Sequence, residues 1–285
     1  MRDRFEFGAN WARFLGVVDE RRIAEACLSL EKMLGPGSLR DRTILDAGSG
    51  SGLFSLAAMR LGAARVHSFD YDPASVACAQ ELQRRYRPDD SRWTIAQGSI
   101  LDRSHLASLG TFDLVYSWGV LHHTGDLWAA IDNVVGLVAV DGRLFISIYN
   151  DQGRPSERWR QVKRFYNRLP SGLRGLYVLL VMAPRELGTA AWLTLKGHPG
   201  AYLRAWAEYK RERGMSRWHD MVDWVGGYPF EVATPEQVFE FVSQRGFTLS
   251  KLMTRQGVGC NEFVFTATGG ARGARDDWSL VGAQS

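Results

Sequence analysis

Residues 43–52 read T-I-L-D-A-G-S-G-S-G, an apolar run that stops abruptly in alternate glycines. A short apolar run bounded by such a turn reads as a buried strand, and Leu53 to Leu61 follows with the composition of a helix. Gly48, Gly50 and Gly52 flank Ser49 and Ser51 and lack a Cβ, so the backbone can bend sharply and lie against a ligand. The start of the following helix would present unpaired N–H groups to that ligand. Taken alone, the turn is equally consistent with a tight strand-to-helix connection.

The next apolar run, Arg65 to Phe69, ends in Asp70-Tyr71-Asp72-Pro73. Asp70 lies about 20 residues beyond the glycines, the distance at which a second parallel strand delivers a carboxylate to a ribose. Pro73 suits the first turn of a helix extending to about Tyr86. This places Asp70 at the carboxyl end of its strand, where open sheets bind ligands. The competing reading of Asp70 is a helix-initiating turn residue.

Asp46 precedes the glycines. A carboxylate there would repel a pyrophosphate and favour a cationic ligand, such as the ammonium and sulfonium centres of S-adenosylmethionine. The glycines also stand at alternate positions, and Leu53 occupies the place where a G-x-G-x-x-G register would put its third glycine. Both features argue against a nicotinamide dinucleotide.

Four ordered segments complete the pattern: L-D-A-G-S-G-S-G, F-D-Y-D-P, Q-G-S-I-L-D and F-D-L-V-Y-S-W-G-V-L-H-H-T. Over residues 43–150 the chain resembles the class I S-adenosylmethionine-dependent methyltransferases. The resemblance implies an α/β, Rossmann-like, doubly wound and mostly parallel seven-stranded sheet with one antiparallel strand. It implies S-adenosylmethionine as cofactor and S-adenosylhomocysteine as product. Carried over to this chain, Asp46, Gly48, Ser49, Gly50 and Gly52 would border the methionine end, and Asp70 would hold the ribose. Tyr71 and Ile100 would flank the adenine, and Ser99 stands where the family often has an aspartate bonding the adenine amino group. Ser117 and Trp118 would face the methyl centre from the fourth strand, and Trp11, in the aromatic F-E-F-G-A-N-W-A-R-F start, would act as a lid. Packing of a helix is the alternative role for that start.

The order of elements predicts a helix from about Arg13 to Leu34, stopped by Gly35-Pro36-Gly37, then alternating strands and helices to a fifth strand at Arg143 to Ile148. Thr234-Pro235-Glu236 starts a further helix, with threonine as cap and proline at the first position. Two last strands follow at Phe247 to Thr254 and Glu262 to Thr268. The resulting organisation is a nucleotide-binding core over 1–150, a helical cap inserted over 151–224, the remainder of the core sheet over 225–268 and a flexible tail over 269–285. Three scattered cysteines form neither a disulfide framework nor a metal cluster, and the charged start carries no signal-peptide core. No metal site is expected, the expected setting is cytoplasmic, and a monomer or a homodimer fits equally.

The insertion concentrates the charge. Asp151 to Met221 carries 14 Lys plus Arg against 6 Asp plus Glu, net +8, so the rest of the chain is net −4. With Trp159, Tyr166, Trp206, Tyr209 and Trp218 interleaved, such a surface suits nucleic acid or an acidic small molecule, or is the solvated face of helices with aromatics beneath. Gly175 to Ala183, G-L-Y-V-L-L-V-M-A, is as a run too short to span a bilayer. It reads as a buried cap helix, with a greasy channel or a membrane-surface contact as alternatives, and no transmembrane segment is expected.

Chemistry in this architecture belongs at the ends of the fourth and fifth strands. His122 and His123 titrate near neutrality and are the candidate bases, needed only where the acceptor must lose a proton. Tyr149, after the fifth strand, and Asp223, in the polar-aromatic stretch Trp218 to Glu231, are candidates to orient the acceptor. The expected function is transfer of a methyl group to an O or N atom of a small molecule. The alternatives are an RNA or protein methyltransferase using the basic cap, a nicotinamide-dependent oxidoreductase, and a non-catalytic S-adenosylmethionine-binding protein.

Overall fold

The structure, a computed structural model, describes residues 15, 16, 18–213 and 217–268, with no side chain described for 208–213 or 219. Its core is β1 (Thr43–Ala47), α2 (Leu53–Arg60), β2 (Arg65–Asp70), α3 (Pro73–Tyr86), β3 (Trp93–Gln97), α4 (Arg103–Leu109), β4 (Phe112–Trp118), α5 (Leu127–Val135) and β5 (Val138–Tyr149), preceded by α1 (Glu20–Leu34). Four helices follow: α6 (Arg154–Arg168), α7 (Ser171–Leu195), α8 (Ala201–Arg213) and α9 (Arg217–Gly226). The chain then returns through α10 (Pro235–Ser243), β6 (Phe247–Met253) and β7 (Cys260–Ala267).

The strands form one sheet in the order β3-β2-β1-β4-β5-β7-β6. Neighbours from β3 to β5 pair parallel, and β7 runs antiparallel between β5 and β6. This is the expected sheet. Its strands are apolar on both faces because helices cover both. Leu45, Ala47, Val115, Leu144, Ile146 and Ile148 point to the side holding Leu127, Ile131 and Val238. Ile44, Leu114, Tyr116 and Phe145 alternate to the other side, against Ile23, Leu30, Leu56 and Leu82. Strand order reverses between β1 and β4, so the carboxyl ends of β1, β2, β4 and β5 flank a crevice at the switch point.

Local signals set the element ends. Asp19 caps α1 by accepting the Arg22 N–H, and the helix expected from about Arg13 is described from Glu20. Thr234 and Gln237 form a reciprocal capping box at α10. The fifth strand begins earlier than expected, because Val138 already pairs with Phe112 before a bulge containing Asp141 brings Arg143 opposite Leu114.

The four inserted helices share a small core of Tyr166, Val178, Met182, Met221 and Val225. The expectation of a buried apolar helix does not hold for α7. Gly175 to Ala183 is the early part of a 25-residue helix, and only 11% of that helix's most apolar stretch is buried. By length and composition alone, that helix is long and apolar enough to cross a membrane. The run looked short because Pro184, Arg185 and Glu186 interrupt it, yet the helix continues through them.

Candidate functional site

The glycine turn is locked to the neighbouring strands by its backbone. Gly48 and Ser49 donate N–H bonds to the Phe69 carbonyl at 2.8 and 3.1 Å, and Gly50 donates to Asp70 Oδ2 at 2.9 Å. Asp72 donates its N–H to Asp70 Oδ1, also at 2.9 Å. Each oxygen of Asp70 thereby accepts a backbone amide, and a carboxylate oxygen can accept more than one donor. Gly48 sits at φ +84°, where a Cβ would stand 2.4 Å from Val120 Cγ1 in the segment after β4. Gly52, at φ +78°, is the N-cap of α2. The close approach of two strand-end loops thus requires glycine at position 48.

Asp46 lies beneath this turn, 3% exposed. Trp93 Nε1 donates to Ser68 Oγ at 2.8 Å, Ser68 and Ser55 share a 2.7 Å bond, and Ser55 Oγ donates to Asp46 Oδ2 at 2.5 Å. Burial pushes the Asp46 carboxyl up to about 7, against the Ser55 hydrogen bond and with a smaller push from the Asp70 charge. A carboxylate with so little compensation is poised to gain from a cation at the turn.

The other expected nucleoside residues ring the ends of β2, β3 and β4. Tyr71 is 55% exposed, and its carbonyl accepts a bond from Gln97. The Ser99 hydroxyl accepts the Leu101 N–H at 3.2 Å. The Ile100 side chain packs into the core, while its carbonyl accepts from Asn133. Ser117 is fully buried, and its hydroxyl donates to the Ala47 carbonyl at 2.8 Å, tying β4 to β1. Trp118, next along, is 44% exposed. Trp11 lies outside the described residues.

A second cluster forms where β4 and β5 end under α6 and α9. His122 and His123 occupy a 3-10 turn, Leu121–His123, and both are buried. Tyr149 lies with its ring centroid 4.0 Å from that of His122 and 5.5 Å from that of His123. Trp224 and Phe230 wall the other sides of Tyr149 at 5.9 and 5.1 Å. His123 Nδ1 lies 2.5 Å from the Pro229 carbonyl, which can only accept. Nδ1 therefore carries the proton in the neutral ring, and Nε2 bears the lone pair. Burial holds His122 well below the usual imidazole range, with the positive charge of His123 and of Lys163 adding to it and the Ser147 backbone opposing. The same burial raises the Tyr149 hydroxyl, with the neighbouring Cys260, Asp220 and Asp223 adding.

Lys163 was not expected here. It is fully buried, donates Nζ to the Trp224 carbonyl, and lies over the Trp224 and Phe230 rings at 4.6 and 4.9 Å. Burial lowers its ammonium to about 7, opposed by the Asp223 charge, which also places half-buried Asp223 in this cluster. The signal was present in the sequence, because Trp159, Val162, Lys163 and Tyr166 fall at helical spacing and put a lysine on the apolar stripe of α6. Glu231 has another duty: its oxygens accept the Gly125 and Leu127 N–H groups at 3.0 and 3.1 Å, at the start of α5. It braces the histidine turn from below, and its own N–H donates to the His122 carbonyl at 3.0 Å.

Residues 45–144 match a family model described as a methyltransferase domain. Over 74 residues the chain is 40% identical to ribosomal protein L11 methyltransferase of Bacillus cytotoxicus, covering 26% of this chain and 22% of that protein. It thus spans about a fifth of the length of the curated relatives it matches. Among solved structures, magnesium protoporphyrin IX methyltransferase from Synechocystis PCC 6803, with bound S-adenosylhomocysteine, superposes with a TM-score of 0.50 at 15% identity, over 87% of this chain and 83% of that one. An O-methyltransferase family protein from Burkholderia thailandensis gives 0.52 at 15% identity, over 87% and 57%. At these identities the likeness is one of fold.

Proposed function

We propose, from the match of residues 45–144 to a methyltransferase-domain model and from the strand order of the sheet, that the chain transfers a methyl group from S-adenosylmethionine to an O or N atom of a small molecule held beneath the α6–α9 cap. The observation that carries the reading is the Asp70 carboxylate, oriented by the Gly50 N–H across the ends of β1 and β2. It stands beside a turn that leaves no room for a side chain at position 48.

When bound, S-adenosylmethionine supplies a methyl group activated by its sulfonium charge. The two oxygens of Asp70 would accept the ribose hydroxyls, and exposed Tyr71 and the backbone of Ile100 would hold the adenine between them. Ser99 and Ser49 supply polar atoms along the rim. Buried Asp46 favours the cationic end through its charge, an interaction that a low-dielectric site strengthens. On the acceptor side, His123 takes the proton of an O–H or N–H acceptor on Nε2, its orientation held by the Pro229 carbonyl. His122 stays neutral beside it. Tyr149 orients the acceptor through its hydroxyl, and Lys163 with Asp223 sets the local field. Much of the rate comes from placement, since the transfer needs the acceptor about 3 Å from the methyl carbon in line with the sulfur.

The aromatic enclosure of Tyr149 by Trp224 and Phe230 favours a small acceptor. A second reading, an RNA or protein acceptor, is favoured by the exposed row Arg154, Arg158, Arg164 and Arg168 on α6. The free thiols of Cys27, Cys78 and Cys260 support a reducing, cytoplasmic setting.

The test is a calorimetric titration of S-adenosylhomocysteine, and separately of NAD, into the wild type and Asp70→Ala. Micromolar binding of the first alone, weakened at least about tenfold by the substitution, is expected. Binding of NAD alone, or indifference to Asp70→Ala, overturns the cofactor assignment. Loss of turnover in His123→Ala with cofactor affinity retained separates an enzyme from a non-catalytic binder.

A further inference from the structure

We propose that α7 is a docking helix that seats the cap on the surface of an anionic lipid bilayer. Leu173, Leu176, Leu180, Leu187, Trp192 and Leu195 are each at least half exposed. Together with exposed Pro184 and Ala191 they leave no gap longer than four residues between Leu173 and Leu195, a stripe of helical period. Soluble proteins expose single leucines freely, but a continuous apolar stripe over about six turns of helix marks a contact surface.

Charge identifies the partner. The segment from Asp151 to Met221 is net +8. On α6 the exposed side chains Arg154, Arg158, Arg164 and Arg168 pair with no carboxylate among the described residues. Phe165, exposed between Arg164 and Arg168, meets Tyr177 of α7 at a ring-centroid distance of 5.2 Å, so the arginine row borders the leucine stripe. An apolar stripe edged by arginines suits acyl chains beneath anionic headgroups. A second copy of the same face would bring two surfaces of the same positive charge together, which argues against self-association. Nucleic acid would use the arginines and leave the leucines without a role.

The helix lies on the bilayer rather than across it. Its opposite face is held by the cap, with Val178 and Met182 buried against Tyr166, Met221 and Val225. Glu186 on that face pairs with Arg217 at 2.8 Å and accepts bonds from Tyr202 and Trp206. Crossing the bilayer would break this network and carry Glu186 into hydrocarbon.

The experiment is vesicle flotation of the full chain with pure phosphatidylcholine vesicles and with vesicles containing about 30% phosphatidylglycerol. Wild type is compared with the triple variant Leu176→Glu, Leu180→Glu, Leu187→Glu and with Arg158→Glu, Arg164→Glu. Because these side chains are exposed, both variants should keep the wild-type thermal midpoint, which is measured alongside. Expected are binding to the anionic vesicles, at least about tenfold loss in the leucine variant, and marked weakening by the arginine variant and by salt at about 0.5 M. The proposal is overturned if the wild type fails to float, or if the leucine variant floats equally well. It is also overturned if light scattering shows a dimer that the leucine variant dissociates, which would assign the stripe to a second copy.

Discussion

Asp46→Asn isolates the electrostatic cost of burying a carboxyl beneath the proposed cofactor turn. The carboxyl is 3% exposed and receives one side-chain hydrogen bond, from Ser55, so burial raises it from an ordinary 3.8 to about 7. A group raised in the folded state keeps its proton where the unfolded chain has lost it. The stability tied to that proton is therefore fully present below pH 3.8 and is lost as pH rises through 7. Between pH 5 and pH 8 the wild type should lose about 2.5 kcal/mol from this one group, at about 1.4 kcal/mol per pH unit over the part of the window that remains. Asparagine keeps an acceptor for Ser55 and does not titrate. Urea unfolding at both pH values should thus show Asp46→Asn gaining on the wild type by about that amount at pH 8. S-adenosylmethionine, a cation at the turn, should shrink the difference more than neutral-sulfur S-adenosylhomocysteine does. A gap between variant and wild type that is the same at pH 5 and pH 8 would refute the reasoning.

Three further outcomes are expected. Lys163→Met should remove a pH dependence of opposite sign: the wild-type ammonium, lowered to about 7, costs most at low pH, so wild-type stability rises as pH climbs from 7 towards 10.5. The advantage of the methionine variant in urea unfolding should therefore be about 2.5 kcal/mol larger at pH 6 than at pH 9. Gly48→Ala combines a left-handed φ with a Cβ 2.4 Å from Val120, and should cost about 2–3 kcal/mol in thermal unfolding together with a loss of S-adenosylhomocysteine affinity. Glu231→Gln replaces the anion that accepts two N–H groups at the start of α5, and should cost about 1 kcal/mol, read from the urea midpoint.

Much of the core was legible because the relevant forces act over a few residues. The Pro73 and Thr234-Pro235 starts, the glycine turn and the alternation of apolar residues in β1, β4 and β5 are local matters of dihedral, capping and pleat. The carboxylate proposed to hold the ribose was equally visible, since the length of one strand and one helix places Asp70 beside Gly50. The role of Glu231 was not, because its partners Gly125 and Leu127 are 106 and 104 residues away. Asp46 could be singled out by type, yet nothing local connects it through Ser55 and Ser68 to the Trp93 indole.

By itself, the sequence determined the order of strands and helices, the glycines and carboxylate of the turn, and a basic, aromatic insertion after the fifth strand. Only the tertiary structure decided which side chains lost their water. It buried Lys163 against Trp224 and Phe230, set His123 on the Pro229 carbonyl, and turned the leucines of α7 outward although the run reads as core. Backbone preference is a property of a residue and its near neighbours. Burial, and the charge state that follows from it, belongs to whatever distant elements close around the residue.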